Sequence, residues 1–419
     1  MKFSIPYNGY NEFIKKIVNK YGESINEIYL SPSKLITSTG RSNDAYNKYY
    51  SETTDEYEKK IHDLMSFAEK NGVKINFLIN GSFINYDYYA EEGFEKLYRY
   101  IDKYYKNGYL TGITIIDPYL LEKLNKLKST EWKHLELHAS VNMYANSVNR
   151  VLILQELGIN SVCIDRDINR NMQLLRNIKA NTNVEIKIMV NEGCLLGCPF
   201  RRYHHERKEV YTGCTELLLD LRKSLVERFN RPITNKLAYC LTKYENDLQQ
   251  IFRSPFIRPE DLHYYEGIAD TFKIAGREMS CERLETIIKA YIEQSYDGNL
   301  WYLIFRFSEG IPIYINNKEI PDNFHEMLTT CNSNCQKCGY CKKLADKLVK
   351  MDINKKSRKW KVPERGESLF QIGLGYYELG KYEKSLECLV KAKENNFTNK
   401  TLLSLIEKCK QKLYKEAKL

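Results

Sequence analysis

The 419-residue sequence predicts an α/β fold: a (β/α)8 TIM-type barrel, a small cysteine-rich extension and a C-terminal α-helical appendage. Two observations lead to the barrel. In the first 300 residues, short β-branched runs alternate with longer amphipathic segments, which indicates parallel βαβ units. About eight such units are present, and that number favours a closed barrel over an open sheet. The predicted domains are therefore a barrel over 1–300, an extension over 301–350 and a helical tail over 361–419.

Each predicted strand is a short apolar run. The eight are 25–30, 74–79, 113–117, 135–141, 161–165, 184–190, 236–241 and 271–276. Amphipathic helical segments lie between them, for example 56–72, with Ile61, Leu64, Met65 and Ala68 on one face. Segments 92–108 and 146–158 have the same character, and all three end at a glycine suited to a helix C-cap.

Composition limits the class of protein. A hydrophobic content of 43% is enough for a core, and 28% charged residues fit a soluble surface. No run reaches the roughly 18 uncharged apolar residues of a membrane span, and the N-terminus lacks a secretory apolar region. We therefore expect a cytoplasmic protein. The net charge of +10 is compatible with an RNA partner, or with the amino-acid drift of AT-rich coding sequences.

The strongest local motif is a cysteine quartet, Cys331, Cys335, Cys338 and Cys341. In a reducing compartment, four thiols within eleven residues indicate metal ligation rather than disulfides. Short spacers let the thiolates converge on one iron–sulfur cluster, or on tetrahedral zinc as the alternative. Gly339 and Asn332 are expected to relieve the tight backbone turns.

A second cysteine group follows the predicted strand 184–190. Cys194 and Cys198 form a CxxxC pair at the expected barrel rim, and Cys214 and Cys240 are candidates for the remaining ligands. Each of the last two is alternatively a small buried residue. The remaining solitary cysteines are interpreted as core or helix residues: Cys163, Cys281, Cys388 and Cys409.

Polar residues cluster where the predicted strands end, which is where barrel enzymes carry their active sites. They are Asp117, His138, Asn142, Asp165, Arg166, Asp167, Glu192, Cys194, Cys240, Arg277 and Glu278. Any aspartate among them is alternatively a helix N-cap. His204, His205 and Glu206 are candidates for proton transfer or metal binding, with an exposed polar loop as the alternative. No His-Glu-x-x-His helix and no Gly-x-Ser-x-Gly elbow is present in the sequence.

The tail matches one tetratricopeptide repeat. The consensus positions are Leu369, Ile372, Gly373, Tyr376, Gly380, Tyr382, Ser385, Leu389 and Ala392. One repeat cannot bury its own apolar faces, so the tail must pack on the barrel, on another subunit or on a partner protein. Residues 301–321 are expected to form one or two strands ahead of a short helix and the quartet.

Three segments resemble the peptidase U32 family, also called collagenase-like proteases: NEGCLLGCPFRRYHH (191–205), SPFIRPEDLHYYEG (254–267) and TFKIAGRE (271–278). By order of motifs the resemblance spans about residues 1 to 345. The quartet is similar to one in a clostridial-type branch of that family. Relatives in this branch have a second cysteine four residues after the position of Cys240, where this chain has Tyr244.

The resemblance implies a four-iron, four-sulfur cluster on four cysteines and oxygen-independent hydroxylation. The family's substrates include ubiquinone precursors, a tRNA uridine and a ribosomal RNA cytidine, with prephenate implicated as an oxygen donor. Carried across by position, it implies Cys194, Cys198 and Cys240 as ligands, with Cys214 substituting for the fourth. The family's name records an older assignment as a protease.

Three functions follow from these observations. The first is a cluster-dependent hydroxylase acting on RNA or a small aromatic acceptor, which binds an anionic substrate through Arg201, Arg258, Lys273 and Arg277. For Arg258 and Arg277, a structural ion pair with Glu260 or Asp261 is the alternative. The second is a metal-dependent peptidase using His204, His205 and Glu206. The third is a scaffold that recruits a partner, or a second copy of itself, through the tail.

Overall fold

Eight parallel strands close into a barrel in which each strand pairs with the next and β8 returns to β1. The computed structural model describes residues 1–33, 54–81, 88–204, 206, 216–229, 238–304, 312–351 and 365–417. The barrel strands are β1 Phe3–Pro6, β2 Ile25–Leu30, β3 Lys74–Ile79, β4 Gly112–Ile115, β5 Glu136–Ala139, β6 Ser161–Cys163, β7 Glu185–Met189 and β8 Thr271–Lys273. The predicted fold class is confirmed.

One strand predicted from the sequence is wrong, and one barrel strand is missing from the prediction. The strand predicted at 236–241 lies in a helix, Ala238–Asn246, with 236 and 237 outside the described residues. That segment has no β-branched residue, so its Ala and Leu follow their helical preference. The missing barrel strand is β1, whose four residues are too few to show a periodic pattern. It closes the barrel because Phe3 pairs with Ile25 on one side and Phe272 on the other.

Helices cover the outside of the barrel after most strands. They are Asn11–Tyr21, Thr54–Lys70, Glu91–Lys106, Pro118–Thr130, Val148–Glu156, Met172–Asn181 and Cys281–Ile292. The face predicted for Thr54–Lys70 is fully buried in the barrel core. Gly72, Gly108 and Gly158 follow their helices with φ of 66°, 74° and 91°, the left-handed conformation that glycine adopts at least cost.

The chain between β7 and β8 is long and helical. Its described helices are Glu216–Phe229, Ala238–Asn246 and Gln249–Arg253, followed by the 3₁₀ helix Pro259–Tyr265. Beyond the barrel come the helices Leu300–Ile304, Phe324–Thr329, Cys335–Cys338 and Tyr340–Leu348, with a two-stranded antiparallel sheet of Ile313–Ile315 and Val349–Met351. Residues 300–304 are therefore helical, and the extended structure expected over 301–321 is found at 313–315. Among the described residues, no helix is long and apolar enough to cross a membrane.

The tail forms three helices, Arg365–Glu378, Tyr382–Glu394 and Lys400–Glu416, which confirms its helical character. The first two pack closely because their contact positions are small. Ser385 Oγ donates a hydrogen bond to the Gly373 carbonyl oxygen at 2.7 Å. A Cβ on Gly373 would lie only 2.8 Å from Leu389 Cγ. The assignment to a tetratricopeptide repeat stays a prediction.

The tail packs on the helix Glu216–Phe229, which belongs to the segment between β7 and β8. Leu219 and Val226 of that helix share one apolar core with the three tail helices. Lys384 Nζ lies 3.0 Å from Glu216 Oε1 and 3.0 Å from Asp220 Oδ1, so ion pairs flank the apolar contact. The tail's apolar face is thus covered within the same chain.

The centre of the barrel is polar. Glu27 on β2 is 1% exposed and accepts hydrogen bonds from Lys187 Nζ at 2.6 Å and Ser4 Oγ at 2.6 Å. Asn76 Nδ2 donates to the same carboxylate at 3.3 Å, and Thr114 Oγ1 donates to Asn76 Oδ1 at 2.9 Å. Burial is the largest single influence and would raise the pKa of Glu27, but the charge and hydrogen bond of Lys187 together with the other nearby cationic groups outweigh it, so the pKa lies well below its usual range.

We predict that Glu27→Gln lowers the free energy of unfolding by about 3–5 kcal/mol, because it leaves the Lys187 ammonium buried without a counter-ion. Urea unfolding at neutral pH measures this. A depressed carboxylate pKa stabilises the fold above the pKa of the unfolded chain, near about 4.3. The difference between the wild type and the variant therefore shrinks as the pH falls below that value.

The control is Glu285→Gln, which removes a surface pair with Lys16 (N–O 2.9 Å) and is expected to change stability by less than about 0.5 kcal/mol. A Glu27→Gln variant as stable as Glu285→Gln would contradict a structural role for the buried pair.

Candidate thiolate site at the barrel mouth

The carboxyl ends of the strands, called the barrel mouth here, hold the polar residues that the sequence predicts there. Some of them are structural. Asp117 Oδ1 caps the helix Pro118–Thr130 by accepting from the Tyr119 backbone N–H at 2.9 Å, and Asp165 caps a 3₁₀ turn in the same way. His138 lies inside the barrel, where its Nδ1 is hydrogen-bonded to Ser161 Oγ. Burial lowers the pKa of His138 well below its usual value, so the ring is neutral.

Arg166 joins two other predicted rim residues. Its guanidinium donates to Glu192 Oε2 at 2.8 Å and to Asn142 Oδ1 at 2.9 Å. Arg166 is 1% exposed. Glu192 Oε1 in turn accepts the backbone N–H of Cys194 at 3.2 Å. The carboxylate of Glu192 therefore links the buried Arg166 to the backbone of Cys194, the first cysteine of the CxxxC pair.

A second arginine holds the loop that carries Cys194 and Cys198. Arg201 pairs with Asp167 through two N–O contacts of 2.6 and 2.8 Å, and it donates to the Leu195 carbonyl oxygen at 2.8 Å. Asp167 Oδ1 also accepts the Gly197 N–H at 3.2 Å. The loop backbone is thus bound to the turn after β6 at several points.

The helix Ala238–Asn246 brings Cys240 to the same place. Tyr244 is fully buried and donates its hydroxyl to the Gly193 carbonyl oxygen at 2.7 Å, next to Cys194. Tyr244 interacts electrostatically with both Cys194 and Cys240. The resemblance implies a cysteine at this position, and here the tyrosine fastens the helix to the loop.

Of the four cysteines predicted at the mouth, three are described. Cys194, Cys198 and Cys240 are each partly buried, and the last two pack against the barrel core. Cys214 lies outside the described residues. Within the described ranges, no three His, Cys, Asp or Glu side chains converge closely enough as they stand to hold a metal ion. The soft sulfur donors fit an iron or zinc centre by type.

Burial, reinforced by Glu192, raises the pKa of the Cys194 thiol to about 12, while Arg166 and Arg201 oppose the shift. The side chain is therefore a neutral thiol at physiological pH in the absence of a cation. A bound metal reverses this balance, since coordination deprotonates a thiol outright. The two arginines then compensate part of the negative charge of the thiolates.

The predicted proton-transfer residues follow the loop. Glu206 Oε1 lies 3.0 Å from Arg202 Nε in an exposed ion pair. The His204 backbone N–H bonds to the Phe200 carbonyl oxygen at 2.7 Å in a helical turn. His205 lies outside the described residues. Within the described part of this segment, the carboxylate is engaged by a cation.

The quartet lies on the extension. Cys335–Cys338 forms one helical turn, Gly339 follows with φ of 64°, and the helix Tyr340–Leu348 begins there. The second left-handed residue is Ser333, with φ of 60°, rather than Asn332 as expected. Burial raises the pKa of Cys341, and the nearby thiols of Cys331 and Cys335 add to the shift.

Among the described residues, carboxylate contacts are seen for Arg201 and Arg258, two of the four predicted substrate-binding cations. Arg201 pairs with Asp167, and Arg258 forms a two-point pair with Asp261 at 2.9 and 3.0 Å, the alternative left open by the sequence. Arg277 donates to Ser31 Oγ. Lys273 has no hydrogen-bond or ion-pair partner among the described residues, and its ammonium lies 4.0 Å from the centre of the Tyr29 ring.

Sequence reasoning missed several residues that shape this site. Glu27, Lys187 and Tyr29 line the barrel interior, and Cys163 lies beside Lys273 although it reads as a core residue. A usable signal existed for the first two, because each is a charged residue inside a run otherwise typical of a buried strand. The cysteines interpreted as core residues are buried at Cys163, Cys388 and Cys409, and partly buried at Cys281.

We predict that Arg201→Met lowers the free energy of unfolding by about 2 kcal/mol. The substitution leaves the partly buried carboxylate of Asp167 without its cation and removes the hydrogen bond to the Leu195 carbonyl oxygen. Amide hydrogen exchange of residues 194–198 should accelerate. The matched control is Arg202→Met, because Arg202 is 72% exposed and its pair with Glu206 is expected to contribute less than about 0.5 kcal/mol. Equal effects of the two substitutions on stability and exchange would contradict the role of Arg201 in holding the loop of Cys194 and Cys198.

The comparison with protein families covers the first of the three motif segments as far as Cys198, and the segments 254–267 and 271–278 lie beyond that match. The family model for peptidase family U32 matches residues 43–198, a range that ends at Cys198. An uncharacterized protease of Methanocaldococcus jannaschii is 28% identical over 361 residues, which cover 83% of this chain and 99% of that protein.

Solved structures are similar only at a low level. The U32 peptidase Mk0906 is 16% identical with a TM-score of 0.41, and the match covers 67% of this chain and 95% of that one. A D-psicose 3-epimerase is 14% identical with a TM-score of 0.30, covering 51% and 83%. The resemblance to peptidase family U32 is confirmed by the family model and the curated relative, and residues 43–198 of this chain carry the family match.

Proposed function

We propose that this chain is an iron–sulfur enzyme of the U32 type that catalyses oxygen-independent hydroxylation. Its substrate would carry negative charge and would be either an RNA, modified at a base, or a small aromatic acceptor. One observation supports this most. Tyr244, four residues after Cys240, donates to the Gly193 carbonyl oxygen next to Cys194, on a loop that also carries Cys198 and that Arg201 holds in place. Thiols assembled from separate segments at the mouth of a barrel are suited to a catalytic centre.

Two sets of cysteines would hold iron–sulfur clusters. Cys194, Cys198 and Cys240 supply three thiolates, and Cys214, outside the described residues, is the candidate for the fourth. The quartet Cys331, Cys335, Cys338 and Cys341 would hold a second cluster, or zinc. A bound cluster supplies one-electron redox chemistry, whose potential depends on nearby charge and hydrogen bonds.

The chain's own side chains provide charge and position. Arg166 and Arg201 lie beside Cys194 and offset the negative charge of its thiolate. Lys273 ends β8 and Arg277 lies four residues beyond it at the mouth, and both attract an anionic substrate. Arg258 is less suited to this role because Asp261 already neutralises it. His204 and Glu206 are the candidates for moving protons.

A peptidase is the second candidate, because the curated relative from M. jannaschii is named a protease. It would use His204, His205 and Glu206 around a metal, and the ion pair of Glu206 with Arg202 would have to open. A scaffold acting through the tail is the third. The apolar core of the tail already includes Leu219 and Val226 from the segment between β7 and β8. A partner would therefore bind the outer surface of the tail.

The experiment is anaerobic purification followed by absorbance, iron, zinc and acid-labile sulfide per chain. We expect a brown protein with a broad band near about 400 nm and iron matched by sulfide. Cys194→Ser should remove about four irons per chain, and Cys338→Ser should remove the second centre if it also holds iron. Cys409→Ser is the matched control, because Cys409 is buried in the tail core.

A colourless protein that contains zinc alone would contradict the hydroxylase and leave the peptidase. The peptidase in turn predicts that Glu206→Gln abolishes hydrolysis of a protein substrate while the metal content stays unchanged.

A further inference from the structure

A small apolar cluster lies at the barrel mouth, at or just beyond the ends of the four neighbouring strands β5 to β8. Val141, Cys163 and Met189 are buried there, and Ala275 packs against them. Lys273 belongs to the same place, because its backbone pairs with Met189 on β7 and with Ser4 on β1. Lys273 is 7% exposed. An amine therefore sits among apolar side chains at the end of the barrel where chemistry takes place.

The two lysines inside the barrel are in different states. Lys187 is bound to Glu27 at 2.6 Å. Lys273 has no hydrogen-bond or ion-pair partner in the described part of the chain, and it meets only the face of Tyr29 at 4.0 Å. The Tyr29 hydroxyl is itself committed to the Ile274 carbonyl oxygen at 2.7 Å. A buried ammonium without a counter-ion is unfavourable, so the site favours a ligand or the loss of the proton.

We propose that Lys273 is a nucleophilic amine that forms an imine with the carbonyl group of an oxo-acid substrate bound at the barrel mouth. This goes beyond the proposed function, since it requires no metal and no oxidant. Lys273 Nζ attacks the carbonyl carbon and forms a carbon–nitrogen bond. The carbonyl oxygen then leaves as water with the two hydrogens of the neutral amine, which gives the carbon–nitrogen double bond.

The surroundings favour the neutral, nucleophilic form. Burial lowers the pKa of Lys273, and the charges of Lys187 and Arg277 add to this, while Cys163 and Glu27 oppose it. Desolvation next to other cations is a known way of activating a lysine. Schiff-base lysines in enzymes depend on such a shift, because only the unprotonated amine attacks a carbonyl.

The same cations indicate the class of substrate. Arg277 lies four residues beyond Lys273 on the loop after β8 and is buried at the mouth, and its charge acts on Lys273. A carbonyl compound that also carries a carboxylate would place its anionic group among these positive charges. An oxo acid meets both requirements, with the carbonyl at Lys273 and the carboxylate toward Arg277.

The test uses the full-length, anaerobically purified protein incubated with pyruvate or glyoxylate and sodium cyanoborohydride, which reduces an imine to a stable amine. Peptide mass mapping then locates the adduct. We expect labelling at Lys273 at least about tenfold above any other lysine, including the surface residue Lys179, which pairs with Asp270. Lys273→Arg keeps the charge and should lose the adduct while retaining the iron content of the wild type.

Uniform labelling of surface lysines, or none at Lys273 with either probe, would overturn the imine. Because the mapping is done on the wild type, this holds even where Lys273→Arg fails to fold. Iron-loaded protein without the adduct would overturn this inference alone. Labelled protein that contains no iron would support it and contradict the proposed cluster.

Discussion

The buried ion pair between Glu27 and Lys187 is the interaction on which the barrel interior depends. It joins β2 to β7 across the centre of the barrel at 2.6 Å, and Ser4 and Asn76 complete the hydrogen bonds of the carboxylate. A pair this deeply buried is tolerated only with such partners, because desolvation otherwise exceeds the Coulomb attraction. Among the described residues, Glu27 contacts Lys187 directly, whereas Lys273 has no ion-pair partner.

The thiol site is built on this frame by the segment after β7. Arg166 and Arg201 attach the loop of Cys194 to the turn after β6, and Tyr244 attaches the helix of Cys240 to the loop. The same segment contributes Leu219 and Val226 to the core of the tail. One long connection between two barrel strands therefore carries Cys194, Cys198 and Cys240 and supports the C-terminal helices.

Much of the fold could be predicted because its signals are local. Strands such as Lys74–Ile79 are dense apolar runs, and the helix Thr54–Lys70 shows one apolar face. The strand β1 has too few residues to carry a pattern, and its pairing partners lie far along the chain. The segment 236–241 is apolar without β-branching, so its helical preference decides for a helix, and Tyr244 then fastens that helix to the loop.

The sequence predicted which residues lie at the barrel mouth better than it predicted which of them contact each other. Spacing identified the cysteines, and strand ends identified Arg166 and Glu192. The sequence does not show which cation pairs with a carboxylate, because that depends on contacts in three dimensions. Arg258 pairs with Asp261, whereas the ammonium of Lys273 lies over the ring of Tyr29. The polar barrel centre was not predicted: a single charged residue such as Glu27 within a buried strand is a signal of it, but the strand pattern does not show which residue it pairs with.

The central claim is that the thiols gathered at the barrel mouth hold iron. The most direct measurement is anomalous diffraction at the iron and zinc absorption edges from crystals grown without oxygen. The account predicts an iron peak bonded to the sulfurs of Cys194, Cys198 and Cys240, separate from any metal at the quartet. Zinc at those three thiols, or metal confined to Cys331, Cys335, Cys338 and Cys341, would contradict it.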